Sequence, residues 1–410
     1  MEIFTEKNIQ TYHRVIDACL IHSIDIQNDT ECLKKHLLSL KGIPNIINSE
    51  KMYEKFYIFS KEAFDNYSRD FKTDNHKVEI QCKERFQSNI MILLKPSAKI
   101  FSKRFFVHDI KVILNFNYFS YKEILDDVLP LEARIGAFEI VGDIIHLNLT
   151  KPQFEYKKII GTVLHKKYKK TVVTKTEKIN NIHRNYELEV LAGNKENLKT
   201  IIFENNAKIC IDLKHVYWSS RLQNERKNLF EEIVKSKVNM NSKEIIVCDL
   251  FCGAGPHILP LLKFNAQNFK IKNKKEGNFT FKAIANDINP HAISCLKESI
   301  KINKLNLEDI TMFNDDTNNV LEIIRKIPVT HYIFNLPEWS LYFTNLLLLQ
   351  KNSHPYVIHC YFFCQNHIQP EAMVAEKLGL ISFKHIIKPV RDVSPSKKVF
   401  KLTIYYNSNI

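Results

Sequence analysis

Glycine is scarce in this chain, nine in 410 residues, where an ordinary globular sequence has about 7%. Collagen-like repeats and glycine-rich linkers are thereby excluded. Two of the nine, Gly253 and Gly255, nevertheless stand one residue apart. Arginine is also rare, contributing only ten of the 59 basic residues, so the positions it occupies carry information. Arginine is the side chain suited to planar, bidentate contacts. No run of 18 apolar residues occurs, and no membrane span or membrane partner is expected. The N-terminus, MEIFTEKNIQTYHRVIDACL, has neither an apolar signal core nor an Arg-rich amphipathic pattern. A cytoplasmic or nuclear setting is expected rather than a secreted or mitochondrial one. A P-loop is missing because no G-K-[ST] follows the Gly253 turn, and G-x-G-x-x-G is missing too. The nine cysteines are scattered. Cys248/Cys252 and Cys360/Cys364 form C-x3-C pairs beside apolar runs rather than C-x2-C pairs on turns. They read as buried free thiols, with no metal site.

What is present points to an α/β enzyme. The length implies two or three domains, and the 45% apolar fraction is ample for packed cores. The formal charge of +14 suggests an anionic partner such as nucleic acid, discounted by a Lys-, Asn- and Ile-rich bias along the whole chain. From Glu244 onward, strand and helix patterns alternate: EIIVCDLF, FTFKAIAND, EDITMFND, VTHYIFNLP and YVIHCYFFC each precede a helical stretch. ISFKHIIKPVRDV and KVFKLTIYY follow with no helix between them. Alternation of this kind predicts a doubly wound parallel sheet, and the closing pair a hairpin edge. That strand count and ending suit a Rossmann-like plan of the methyltransferase type, expected over residues 226–410.

Residues 115–225 read as a β-rich second domain, with GAFEIVGDIIHLNL, IIGTVLHKKYKKTVVTK, YELEVLAG and KICIDLKHVYW all β-like. Residues 1–114 read as an α+β region, with MYEKFYIFSKEAFDNYSRDF helical and SNIMILLK and HDIKVILNFNYFS extended.

The chemistry concentrates at predicted strand ends. In DLFCGAGPHILP, Asp249 closes a strand and Gly253 and Gly255 form the turn into a helix. Such a turn either is merely structural or admits a cofactor close to the backbone. The second strand ends at Asn286-Asp287, suited to ribose hydroxyls, and the third at Asp315-Asp316, suited to an adenine amino group. Each acid alone reads as a helix cap. Three on one ligand-binding edge read as a cofactor set. The fourth strand ends in Asn335-Leu336-Pro337, either an ordinary turn or a substrate-facing amide that offers both donor and acceptor. In VYWSSRLQNER, Arg221 and Glu225 are four apart, the spacing of a surface ion pair.

Taken together, GAFEIVGDIIHLNL, HRNYELEVLAG, VYWSSRLQNER, DLFCGAGPHILP, ANDINP, HYIFNLP and VRDVSPSK resemble the eukaryotic–archaeal tRNA (guanine-37-N1)-methyltransferases, from about Tyr121 onward. The resemblance implies methyl transfer from S-adenosyl-L-methionine to N1 of guanine-37 in tRNA by a monomer. It implies Glu225 as the general base and Arg184 as the stabiliser of charge growing on O6. Asn335 would hold the base edge, and Pro337 would shape the pocket. For the cofactor it implies Arg221, Asp249, Phe251, Gly253, Gly255, Pro256, Asp287, Ile288, Asp315, Asp316 and Asn335. Residues 1–114 would include the part that touches tRNA. The lysines of HKKYKK (165–170) and KIFSKRFF (99–106) are either phosphate contacts or ordinary solvated side chains.

Three positions depart from the family pattern. Cys252 and His257 replace Ala and Phe, the histidine being expected on a partly exposed helix turn. Glu338 replaces an Ala and is expected to cap the following helix. The rival readings are a related enzyme that transfers the aminocarboxypropyl group to a wyosine precursor, and a non-catalytic RNA-binding module. Asn335-Leu336-Pro337 favours methyl transfer over the first, and the retained Arg184, Glu225, Asp249, Asp287 and Asn335 argue against the second.

Overall fold

A computed structural model describes residues 9, 12–23, 46–48, 55–60, 77–78, 90–102, 105–176, 187–236, 244–268, 280–350, 354–379 and 383–406. The chain divides into two compact units, residues 1–136 with 149–169, and residues 137–148 with 170–410.

In the first unit, six antiparallel strands run in the order Ile46–Asn48, Lys55–Ser60, His13–Ser23, Phe105–Asn115, Ile90–Ser102, Lys77–Val78. The expected helix over MYEKFYIFSKEAFDNYSRDF is a strand at Lys55–Ser60, where the β-favouring KFYIFS pairs with its neighbour at Ala18–Ser23. Helices Tyr121–Val128 and Lys157–Tyr168 follow. The second replaces an expected strand, since IIGTVL is rich in β-branched residues. Its buried positions Ile160, Gly161, Val163 and Leu164 have helical spacing, and that period decides. Tyr12 donates to Asp127 (2.8 Å) and the Arg14 guanidinium lies over the Phe119 ring (4.6 Å).

The second unit contains a four-stranded sheet in the order Leu188–Ala192, Thr171–Lys175, Ile144–Leu147, Glu139–Val141. A hairpin, Lys199–Glu204 with Ala207–Asp212, follows. Helix α1 (Gln223–Lys235) then leads into a seven-stranded sheet. Its strands are β1 (Glu244–Asp249), β2 (Thr280–Asn286), β3 (Ile310–Phe313), β4 (His331–Phe334), β5 (Tyr356–Gln365), β6 (Lys384–Ser394) and β7 (Lys397–Tyr406). Between them run α2 (Ile258–Asn268), α3 (Pro290–Asn303), α4 (Thr317–Ile324), α5 (Ser340–Leu348) and α6 (Pro370–Leu378). The order is β3-β2-β1-β4-β5-β7-β6. Strands β1 to β5 are parallel, and β7 lies antiparallel between β5 and β6.

This is a Rossmann-like sheet closed by a hairpin. Order reverses at β1/β4, so the strand ends there open a crevice, where α/β sheets bind ligands. Both faces are covered, as a parallel sheet requires. Ile245 and Val247 pack with Leu229 and Ile233 of α1, while Ile246 and Cys248 pack with Leu321, Ile324 and Phe343. The hairpin is clamped to α3, where Ser299 and Asn303 sit one turn apart. Cys210 N–H donates to Ser299 Oγ (2.8 Å), and Asn303 exchanges hydrogen bonds with the Lys208 backbone (3.0 and 2.6 Å). Cys210, Cys248, Cys252, Cys295, Cys360 and Cys364 are free and buried.

Candidate active site

The glycine turn after β1 is held by the acids flanking it. Asp249 is fully buried, and its Oδ1 accepts from Phe251 N–H (3.2 Å). Gly253 (φ 54°) donates its N–H to Asp287 Oδ2 at the end of β2 (2.8 Å), while Asp287 Oδ1 accepts from Asn289 N–H (2.9 Å). Gly255 (φ 83°) is confined as well as turned: a Cβ there would stand 2.5 Å from Leu296 of α3. A Cβ on Gly253 would meet no atom, which leaves its backbone open to a ligand. Asn286, buried between strand ends, donates to Asp315 O (3.0 Å) and accepts from Asp315 N–H (3.2 Å), stitching β2 to β3. Asp316 caps α4 by accepting from Asn318 N–H (2.8 Å). Asp315 Oδ1 accepts from Asp316 N–H and Asn319 (2.7 and 3.0 Å).

At the end of β4, Ser340 explains the turn. Its Oγ accepts from Leu336 N–H and donates to Phe334 O, both at 3.0 Å. Pro337 O accepts from Phe363 N–H (3.4 Å), tying the turn to β5. The strand therefore stops where the Asn335 side chain reaches the crevice. Glu338 does not cap α5: the N-cap residue is Trp339, without a side-chain cap bond, because Ser340 already fixes the turn. Glu338 lies instead on the cavity wall.

The turn ahead of α1 is fixed by buried charge. Arg226 makes a two-pronged pair with Glu204 (2.5 and 2.8 Å), donates to Ser219 O (3.1 Å) and lies over Trp218 (4.3 Å). Glu139 accepts from Ser220 N–H (2.6 Å). Burial raises the Glu139 carboxyl, but hydrogen bonds from His146 and Ser220 outweigh this and bring it down to about 2.

Glu225 does not pair with Arg221 among the described residues. Its Oε1 accepts from the Tyr361 hydroxyl (2.9 Å) and faces Lys401 Nζ (3.7 Å). Seven residues along α1, on the same face, Glu232 takes the same ammonium at 2.5 Å. Burial, then the Glu225 carboxylate, pushes the Tyr361 hydroxyl well above its usual range. Deeper in the core, Ser236 Oγ meets His331 Nε2 (2.8 Å) and His331 Nδ1 meets His359 Nε2 (3.0 Å). Burial, and secondarily Lys401, brings His331 down to about 3 and holds His359 well below its usual value.

These elements border one cavity of about 670 Å³, within the usual range for a small-molecule site. Of the residues expected there, Phe251, Gly253, Pro256, Asp287, Ile288, Asp316, Asn335 and Pro337 line it. Asp249 and Gly255 stand behind as buried supports, Asp315 serves the α4 cap, and Glu225 lies behind Tyr361. Arg221 is exposed, its charge felt by Lys175. Arg184 lies outside the described residues, as do the side chains of the KIFSKRFF run. In HKKYKK, Lys167 is taken up by the fold, donating to Phe116 O at 2.5 Å.

The sequence does not single out the lining residues Tyr361, Trp339 and Tyr342, and it gives Arg391 and His257 no role at the site. Trp339 and Tyr342 are 55% and 49% exposed and stand edge to face. The Arg391 Nε is buried without a hydrogen-bond partner. His257 is not partly exposed but 7% exposed, with Nδ1 on Asp249 Oδ2 (2.9 Å). Elsewhere, Asp212, His215 and His291 bring ligand-type atoms together, but the two imidazoles stack at 4.2 Å and 16° rather than converging on one point.

The fit to S-adenosyl-L-methionine rests on the open Gly253 backbone, the carboxylates of Asp287 and Asp316 and the cavity they share. Residues 200–388 match the TRM5/TYW2 methyltransferase domain, and residues 121–196 match the TYW2 N-terminal domain. A tRNA (guanine(37)-N(1))-methyltransferase of Encephalitozoon cuniculi is 33% identical over 91% of this chain and 90% of its own length. One from Dictyostelium discoideum is 30% identical over 90% and 79%. Among solved structures, the complex of aTrm5 with tRNALeu has a TM-score of 0.57 at 22% identity, covering 95% of this chain and 99% of that one. Trm5b from Pyrococcus abyssi has a TM-score of 0.53 at 21% identity, covering 94% and 98%.

Proposed function

The chain belongs to the tRNA (guanine(37)-N(1))-methyltransferase family, and from that premise we propose how it acts: it methylates N1 of guanine-37 in tRNA with S-adenosyl-L-methionine. One observation carries the reading. The glycine turn, Asp287, Asp316 and Asn335, from the ends of four strands, line a single cavity.

The bound cofactor supplies an electrophilic methyl group on a sulfonium. Gly253, Phe251 and Pro256 would shape its seat, Asp287 would offer acceptors to ribose hydroxyls, and Asp316 would serve the adenine. Asp249 and Gly255 hold the turn in place. Asn335 reads the base edge, and Pro337 fixes the turn that presents it.

Guanine N1 carries a proton at neutral pH and must lose it before it attacks. Glu225 is the base in this reading. Both of its contacts fall on Oε1, so among the described residues Oε2 remains to accept the proton. A positioned base contributes about 10²–10⁴-fold. As the proton leaves, negative charge grows on O6, and Arg184 is the cation assigned to it, such stabilisation contributing about 3 kcal/mol. Arg391, on the cavity wall with Nε unpaired, is a second cation facing the same space. Trp339 and Tyr342, exposed at the rim, offer rings on which an unstacked base rests, as in recognition of single-stranded RNA loops. Residues 1–114 are assigned to tRNA binding, and the protein to action as a monomer.

The test is methyl incorporation from labelled cofactor into transcripts that differ only at position 37. Transfer to the guanosine transcript and not to its adenosine counterpart is expected. Equal labelling of both would reject the reading. The match of residues 121–196 to the TYW2 N-terminal domain favours the aminocarboxypropyl alternative. Product mass separates the two when tRNA carrying the wyosine precursor is assayed beside the guanosine transcript: one activity adds a methyl to guanosine, the other a larger amino-acid fragment to the precursor. An RNA-binding module would add neither.

A further inference from the structure

His257 was unexpected on every count: a histidine at a family position often held by Phe, buried, and unused by the roles above. One of its nitrogens meets Asp249 Oδ2 at 2.9 Å, and the other, Nε2, lies 3.5 Å from Asn335 Nδ2. The Asp249 side chain is rigidly placed, since it is fully buried and its second oxygen accepts from Phe251 N–H. A carboxylate only accepts, so the imidazole proton belongs on Nδ1. In the neutral ring Nε2 is then bare and itself an acceptor. An amide facing a bare nitrogen must turn its NH2 toward it. Its carbonyl oxygen is left on the other side.

Resting on the reading of the cavity given above, we propose that His257 is a positioning residue that locks the Asn335 amide with its oxygen toward the substrate. Asp249 sets the tautomer, the tautomer sets the amide, and the amide gives the cavity an acceptor rather than a donor. That choice has a chemical consequence. The guanine edge presents donors at N1 and at the exocyclic 2-amino group, and N1 must give up its proton to react. The 2-amino group is therefore the donor that persists through the reaction. Hypoxanthine has the same ring edge without that amino group. An acceptor fixed in advance selects guanine over hypoxanthine. An amide free to turn selects much less, because its NH2 serves the shared O6 equally well. Phenylalanine would fill the same volume without either nitrogen, so it retains the packing and loses the lock.

The test compares wild type, His257→Phe and His257→Gln in single-turnover methylation, at saturating tRNA and cofactor, of transcripts carrying guanosine or inosine at position 37. Wild type should prefer guanosine by on the order of tenfold or more, since a buried group left unpaired discriminates strongly. His257→Phe should bring the two rates to within about threefold while cofactor affinity is retained; its melting temperature should fall, because the buried Asp249 Oδ2 loses its partner. His257→Gln, whose side-chain oxygen accepts from Asn335 Nδ2, should restore most of the preference. Full guanosine preference in His257→Phe would overturn the proposal. A second measurement does not depend on activity. Imidazole ¹⁵N shifts, assigned by difference against His257→Phe, should show the Nδ1-protonated tautomer in the substrate-free protein. An Nε2-protonated ring would overturn the lock. Failure of wild type to methylate either transcript would reject the functional reading instead, with the tautomer still deciding the inference.

Discussion

The side of the cavity assigned above to the cofactor and the side assigned to the substrate are held by different kinds of contact. On the cofactor side, carboxylates and amides close on backbone groups nearby: Asp249 on Phe251, Asp287 on Asn289 and Asp316 on Asn318, each two residues away. Longer links, Gly253 to Asp287 and Asn286 to Asp315, join neighbouring strand ends 34 and 29 residues apart. On the substrate side, side chains meet side chains across long stretches. Tyr361 and Glu225 are 136 residues apart, and Asn335 and His257 are 78 apart. The first side is a product of turn chemistry and strand order. The second exists only when the fold is complete, and single substitutions there should separate catalysis from cofactor binding.

The largest separation is expected at Glu225. Glu225→Gln should lower single-turnover methylation by about 10²–10⁴-fold while cofactor affinity, measured by calorimetry, stays within about twofold, since no cofactor role is assigned to it. An unchanged rate would remove Glu225 from catalysis and leave it as the partner of Tyr361 and Lys401.

Arg226 should show its effect in stability. Both Arg226 and Glu204 have side chains 4% exposed, and Arg226→Met would strand a buried carboxylate, at a cost of about 3–5 kcal/mol. Adding Glu204→Leu should recover most of that loss, as read from urea unfolding. A double variant no more stable than the single one would place the cost in the Trp218 contact instead.

Asp287→Ala should act on the other side of the cavity, raising the cofactor KM by about tenfold with kcat within about twofold, the pattern of uniform binding. A lower kcat at unchanged KM would contradict the assignment.

The smallest effect is a slope. His331 and His359 are buried neutral, with values below those of the unfolded chain, so the unfolded state binds more protons as pH falls. Their contribution is complete above about pH 6.5 and drains away as pH drops toward about 3. Thermal melts should show Tm falling through that window, and His331→Gln should make the fall shallower. A parallel fall in both proteins would assign the slope to other groups.

How much was legible follows the same division. The seven strands after Glu244 were readable because parallel strands alternate with helices, and the glycine turn because few glycines occur elsewhere. Asp249, Asp287 and Asp316 were readable as strand-end acids, though not that Asp249 would be a buried support. Tyr361 was hidden inside YVIHCYFFC, where a phenol reads as one more core aromatic. His257 was discounted because its partners, Asp249 and Asn335, are brought to it only by the sheet. The helix at Lys157–Tyr168 is hidden in the sequence because its β-branched residues mask a helical period.

The position of β7 bears on how the protein is made. Lys401 is supplied by a strand that is synthesised after all the others of its sheet, yet lies between β5 and β6. The glycine turn and its acids have left the ribosome well before this strand appears. A nascent chain is thus able to form the cofactor seat while the ammonium shared by Glu225 and Glu232 is still missing. During that interval the edge of β5 is an unpaired template for other strands. Folding yield, rather than turnover, is where substitutions in β7 that weaken its pairing should first be felt.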